Sequence, residues 1–331
     1  MVAKERMSRI APDLRNVLVT GGAGFIGSHV CKELSREGFL PVVFDRLEEG
    51  HREFVKWGPL EEGDLRDGPR LREVLKKHKI DAVMHFAASI VVSESVADPR
   101  KYYENNVGGS LSLLAAVRDA GIGFFVFSST AAVYGMPVRV PIDENHPKAP
   151  INPYGVTKLL VENALQDYSR AYGLRAVALR YFNAAGADPE GELREAHDPE
   201  THLIPNAVRA ALDPDYTLRL FGNDYSTPDG TCIRDYIHVK DLARAHVAAL
   251  KRLPEWDSFQ AINLGIGKGF SVLEVIRAVE RKFGKKVKVG ISPRREGDPP
   301  ELLADPGKAR EMLGWNPEYE TIEAIVATLR A

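Results

Sequence analysis

Cysteine is scarce in this chain of 331 residues: Cys31 and Cys232 are its only two, and they make no Cys-x-x-Cys spacing. That excludes a disulfide framework and a cysteine zinc site, and it fits a reducing, cytoplasmic setting. Basic charge is not in surplus either. The formal net charge is -2, without the cationic excess that contact with a phosphate backbone requires, so nucleic acid is not an expected partner. No run of about 18 apolar residues occurs, which leaves no candidate membrane span. Residues 1–15 are polar and basic and lack the apolar core of a signal peptide, so they read as a leader ahead of the fold. Internal repeats and low-complexity tracts are also missing. The nine histidines show no metal-ligand spacing, and no metal is expected.

What is present is ordinary globular composition, 44% hydrophobic and 27% charged, enough apolar material for a substantial core. Short apolar runs alternate with stretches of helical period: Val17–Thr20, Gly27–Gly38, Val42–Phe44, Pro69–His78, Ala82–Phe86, Asn105–Ala120 and Phe124–Ser128. The runs VVF, AVMHF and FFVF lack inside-outside alternation, as strands do when helices cover both faces of a parallel sheet. A proline-rich stretch, residues 137–153, precedes a helix expected over Tyr154–Tyr172 and a strand over Ala176–Tyr181. Later helices are expected at Ile204–Leu212, Leu242–Leu250 and Val272–Phe283, between loops rich in Gly, Pro, Asp and Asn. The predicted fold is α/β, a Rossmann-type doubly wound parallel sheet over mainly 16–182. A smaller C-terminal substrate-binding lobe would occupy mainly 183–331, with some of its segments returning to the sheet.

Strand Val17–Thr20 runs into Gly21-Gly22-Ala23-Gly24-Phe25-Ile26-Gly27 and then into a helix. Glycines here let the backbone turn tightly and approach a pyrophosphate, while the helix N-terminus offers free N–H donors. Both Gly-x-Gly-x-x-Gly and Gly-x-x-Gly-x-x-Gly can be read, and alone either is also an ordinary strand-to-helix turn. Asp45, at the end of the second strand, lies at the spacing of a carboxylate that takes the adenosine ribose hydroxyls. It would repel a 2'-phosphate, so NAD is favoured over NADP, although Arg46, His51 and Arg52 lie close by.

Tyr154 and Lys158 stand four apart on one helical face, and Ser128-Ser129-Thr130 ends the fifth strand. A tyrosine titrating near about 10 is a base at neutral pH only where positive charge favours its phenolate. Lys158 and a nicotinamide cation would supply that charge, and Thr130 would orient a substrate alcohol whose proton Tyr154 removes. A Tyr-x-x-x-Lys pair is otherwise most often a solvated helix face. His85 and His238 read as packing or hydrogen-bonding histidines.

With VTGGAGFIGSH, EEGDLRD, HFAAS, YYENNVGG, FSSTAAVYG, NPYGVTK, LRYFNAAGA, ETHLIP, FGNDYSTPDGTCIRDYIHV, LGIGKGFSV, RREGD and GWNP together, the chain resembles the extended short-chain dehydrogenases/reductases over nearly its whole length. Within them it is most similar to the nucleotide-sugar epimerases, the UDP-glucose 4-epimerases in particular. The resemblance implies bound NAD held by Gly21, Gly24, Phe25, Ile26, Gly27 and Asp45, with Asp64 and Leu65 at adenine. Phe86, Ala87, Ala88, Asn105 and Phe182 would line the remaining cofactor site. It makes Tyr154 the base, Lys158 its electrostatic partner and Thr130 the hydroxyl. It assigns Asn183, Leu203, Arg219, Leu220, Phe221, Arg234, Arg295 and Asp298 to a UDP-sugar, whose phosphates arginine can pair bidentately.

The resemblance further implies oxidation at the sugar C4, rotation of the ketose about its diphosphate link, and hydride return to the opposite face. Dehydratases of similar sequence need an acid/base pair after the threonine, where this chain has Ala131 and Ala132. Departures are Ile90, lysine in some epimerases, and His202-Leu203, Asn-Leu in some. Leu302, at the position that limits the C2 substituent, is intermediate in size. The alternatives are a 4-epimerase of another UDP-sugar (UDP-N-acetylglucosamine, UDP-glucuronate or a pentose nucleotide) and, more remotely, an inactive NAD-binding scaffold. A homodimer paired through Asn105–Ala120 and Tyr154–Tyr172 is the pattern that the resemblance implies.

Overall fold

The computed structural model describes residues 14–295 and 297–330, so most of the expected leader, residues 1–13, lies outside the described residues. In chain order the strands are β1 (Asn16–Thr20), β2 (Leu40–Asp45), β3 (Leu60–Glu62), β4 (Ala82–His85), β5 (Phe124–Thr130), β6 (Arg175–Tyr181), β7 (Asn183–Ala185), β8 (Leu218–Phe221), β9 (Ile233–His238), β10 (Gln260–Leu264), β11 (Gly269–Ser271), β12 (Val289–Ser292) and β13 (Glu301–Leu302). The helices are α1 (Phe25–Arg36), α2 (Gly68–Lys77), α3 (Val92–Ala97), α4 (Pro99–Tyr102), α5 (Gly109–Asp119), α6 (Pro153–Tyr172), α7 (Leu203–Leu212), α8 (Val239–Arg252), α9 (Val272–Phe283), α10 (Gly307–Leu313) and α11 (Ile322–Ala327).

Seven strands form one parallel sheet in the order β3-β2-β1-β4-β5-β6-β10. The order reverses between β1 and β4, and a crevice opens there at the carboxyl ends of the strands. The unbroken apolar runs have a direct cause. In β1, Val17 and Val19 face the core beneath α1, α8 and α10, while Leu18 faces the core beneath α2, α5 and α6. Strands β4, β5 and β6 divide in the same way, so a polar residue at any of these positions would be buried. A third cluster joins α7, α9 and α11 to β8 and β9. Here β9 pairs with β7, β11 and β13, and β8 pairs with β12. Strand β10 and helix α8, from the later chain, are built into the large sheet and its helical layer.

Helix ends follow local chemistry. Asn152 caps α6 by accepting from the Gly155 N–H, Pro153 opens its first turn, and Gly173 closes it at φ 70°. Helix α9 opens with a reciprocal capping box between Ser271 and Glu274.

One expected element needs correcting. The helix read over Asn105–Ala120 begins instead as a π-helical turn, Tyr103–Gly108, and becomes α-helical only at Gly109. Asn106 is the reason: its side chain is drawn inward, accepting from the Ser89 N–H at 2.8 Å and donating to Ser89 O at 3.0 Å. Such widened turns place side chains that a regular helix would rotate away. Helices α3 and α4, not anticipated from sequence, lead into it.

Candidate active site

The Gly21 backbone has φ +72°, and a Cβ there would lie 2.6 Å from Ala87 N, while one on Gly27 would lie 2.2 Å from the Gly21 carbonyl oxygen. The turn therefore has no room for side chains at either position. Gly24 stands at the N-cap of α1 and provides no side-chain cap, so the first-turn N–H groups of the helix remain free for an anion. Gly21, Gly24, Phe25, Ile26 and Gly27 line one end of a cavity of about 1080 Å³. Asp45 borders it as well, its two carboxylate oxygens accepting from the Ala23 and Leu47 N–H groups at 3.1 and 2.9 Å. Asp64, Leu65, Phe86, Ala87, Ala88, Asn105 and Phe182 also face this cavity. Arg46, read as a complication for NAD, is engaged by Glu48 at 2.8 Å and by the Asn105 side-chain oxygen at 3.1 Å.

Thr130, at the end of β5, and Tyr154 and Lys158, on the first turns of α6, meet in the middle of the cavity. The Lys158 ammonium donates to the Ser128 carbonyl at 2.9 Å and lies 5.9 Å from the Tyr154 ring centroid. Burial pulls Lys158 down to about 7, with the Glu162 carboxylate acting in the opposite sense. Burial also raises Tyr154 to about 12, and hydrogen bonding with the Thr130 hydroxyl offsets only part of the rise. Without a bound cation the tyrosine is thus a neutral acid poised beside Thr130. Glu162 anchors this arrangement from below: it accepts from the Ser129 hydroxyl at 2.6 Å and from Arg180 at 2.8 and 2.6 Å.

At the far end of the same cavity lie Asn183, Leu203, Arg219, Leu220, Phe221, Arg234, Arg295, Asp298 and Leu302. Arg234 donates to Asp298 at 2.5 Å and to Ile233 O at 2.7 Å, and it is mostly buried. Arg295 stacks 4.1 Å from the Phe221 ring centroid. Asn183 donates to Asp235 O at 3.0 Å, which ties β7 to β9. Ile90 and His202, the two departures, are on the wall too.

The residues singled out from sequence are therefore gathered at one cavity. His85 and His238 are elsewhere: His85 bonds Thr20 at 2.7 Å and Ser110 at 2.8 Å, and His238 accepts from the Lys240 N–H at 3.1 Å.

Sequence reading missed Tyr181, whose hydroxyl lies 2.5 Å from Ser128 Oγ on the cavity wall. It also missed Glu195, His197 and Glu200, which join His202 on that wall in a tight group. The clue was the stretch Glu195-Ala-His-Asp-Pro-Glu-Thr-His202, in which Glu195 and Glu200 alternate with His197 and His202.

Residues 17–265 match the family described as the NAD dependent epimerase/dehydratase family. The chain belongs to that family. Among the epimerase/dehydratase relatives, the UDP-glucose 4-epimerase of Rhizobium meliloti (strain 1021) is 56% identical over 305 residues, covering 92% of this chain and 93% of that one. A crystal structure of UDP-glucose 4-epimerase from Brucella ovis in complex with NAD aligns at TM-score 0.92 and 55% identity, over 95% of this chain and 97% of its own. The Bifidobacterium longum UDP-glucose 4-epimerase, in complex with NAD+ and UDP, aligns at TM-score 0.89 and 39% identity, over 95% of this chain and 96% of its own. The Rossmann-type α/β reading of the family fold thus agrees with the seven-stranded sheet found here.

Proposed function

We propose that this chain is a UDP-glucose 4-epimerase that interconverts UDP-galactose and UDP-glucose. One observation carries the reading. A single cavity joins the glycine turn to the Arg234 and Arg295 end, with Tyr154, Lys158 and Thr130 between them and only Ala131 and Ala132 beside Thr130. Relatives named for this activity, some solved with NAD or UDP, support it.

NAD bound here would supply a hydride acceptor for the sugar C4 and a hydride donor for return to the opposite face. The crowded turn at Gly21 and Gly27 and the uncapped start of α1 suit its pyrophosphate. Asp45 suits its ribose. Tyr154 accepts the 4-hydroxyl proton and later gives it back, while Thr130 orients that hydroxyl. Lys158 adds positive charge beside the phenolate. Arg234 and Arg295 hold the diphosphate by charge-assisted hydrogen bonds, and Phe221 offers uridine an apolar wall. Ala131 and Ala132 carry no proton, which leaves the hydride's return as the onward route. Leu302 is proposed to set the room beside the sugar C2.

The chain is further proposed to act in the cytoplasm as a homodimer paired through α5 and α6, which carry the exposed apolar side chains Leu111, Leu160 and Tyr172.

Incubation with UDP-galactose, without added cofactor and then with NAD, tests the reading. UDP-glucose is expected from the unaltered protein, with kcat about 10² to 10⁴-fold lower in Tyr154→Phe. No product under either condition would sink it. UDP-N-acetylglucosamine and UDP-glucuronate serve as the competing substrates.

A further inference from the structure

Glu195, His197, Glu200 and His202 lie between the glycine turn and the start of α7, and each offers one ligand atom, all within 4.8 Å of one another. His202 Nδ1 is 2.8 Å from both Glu195 Oε1 and Glu200 Oε1, and His197 Nδ1 is 3.2 Å from Glu195 Oε1 and 3.8 Å from Glu200 Oε2. A tetrahedral ion with bonds of about 2.0 to 2.2 Å to nitrogen and oxygen requires ligand atoms about 3.3 to 3.6 Å apart. The observed separations bracket that edge.

Charge points the same way. The side chains of Glu195 and Glu200 are only 7% and 18% exposed. Among the described residues neither pairs with a lysine or an arginine, and their further polar contact is the His202 N–H donating to Glu200 Oε1 at 2.7 Å. Two largely buried carboxylates that face only imidazoles need two positive charges at their centre, which come either from protons on both rings or from a metal ion that takes the place of those protons. One divalent cation supplies both.

We propose that Glu195, His197, Glu200 and His202 form a closed two-carboxylate, two-histidine site for a divalent transition-metal ion of the zinc class. Mixed imidazole and carboxylate donors suit such an ion. With all four positions filled by protein the ion is structural and activates no water. What it secures is legible from its neighbours. The His197 ring packs edge-on to Phe25 in the first turn of α1, with centroids 6.2 Å apart. His51 bonds the intervening Ala196 carbonyl at 2.7 Å. His202 immediately precedes Leu203, the first residue of α7. The ion therefore clasps the loop that joins the two ends of the cavity.

The test uses the full chain without an affinity tag, stripped by chelator and titrated with ZnCl2 in a calorimeter, with MgCl2 as the hard-cation control. One saturable zinc site per chain is expected. Removing a ligand should weaken it on the order of 100-fold or more, since changes even outside the ligand shell cost 10- to 100-fold. His202→Asn tests the most exposed ligand, where the fold is least at risk, and Glu195→Gln tests a buried one. Circular dichroism establishes that each variant is folded. Absence of saturable binding, equal binding in both folded variants, or magnesium binding as tightly as zinc would each overturn the site. Because the titration reads metal rather than turnover, its failure would leave the proposed epimerase activity standing.

Discussion

Lys158 illustrates how one buried side chain makes a titration visible. Burial lowers it to about 7, whereas in an unfolded chain it titrates near about 10.4. Between those values the unfolded chain carries a proton on this lysine that the folded chain lacks, so stability rises with pH across that window. The gain is lost as pH falls through about 7. Thermal unfolding of nucleotide-free protein from pH 7 to 10 should show this rise, and Lys158→Met should remove the lysine's share of it. An identical profile in the variant would contradict the assignment. At the other end of the cavity, Arg234→Ala should raise the KM for the UDP-sugar by about 10 to 100-fold with a smaller change in kcat, because a charge-assisted contact to phosphate contributes alike before and during reaction. Steady-state kinetics distinguishes that from a fall in kcat alone. Tyr154, Lys158 and the glycines were legible in the sequence because their chemistry demands fixed spacing along one element. The grouping of Glu195, His197, Glu200 and His202 was not, because it depends on a loop folding back so that four side chains converge, and no regular period marks such a loop.

Helix α6 is held in place by more than its apolar face. Glu162, one turn beyond Lys158, forms a buried pair with Arg180 on β6 and accepts from Ser129 on β5. The pair is 2% exposed on both sides, so Glu162→Gln would leave a guanidinium buried without its counter-charge. A loss of about 3 to 5 kcal/mol is expected, read by denaturant unfolding, and a loss below about 1 kcal/mol would show that water reaches the pair. The helices flanking this region show where sequence reading stops. Val272–Phe283 was legible to its ends because Ser271 and Gly284 mark them. The π turn before α5 was not, because its cause is the Asn106 to Ser89 bonding, a contact between residues 17 apart that helical periodicity does not record.

At the scale of the molecule, the sheet supplies the rigid floor and the later chain supplies the opposite wall. Tyr154 and Thr130 sit where the two meet. The parallel sheet was legible because both of its faces are apolar, whereas the β7-β9-β11-β13 region was not, its strands being short and paired across long separations. Strand β10 and helix α8 come from the chain beyond residue 182 and pack with the large sheet. The central claim is that one cavity oxidises and re-reduces the same sugar carbon without exchange with solvent. Its most direct test is to convert UDP-galactose in D₂O and to read the product by proton magnetic resonance. The account predicts UDP-glucose that retains protium at C4, and either deuterium at C4 or no UDP-glucose at all would contradict it.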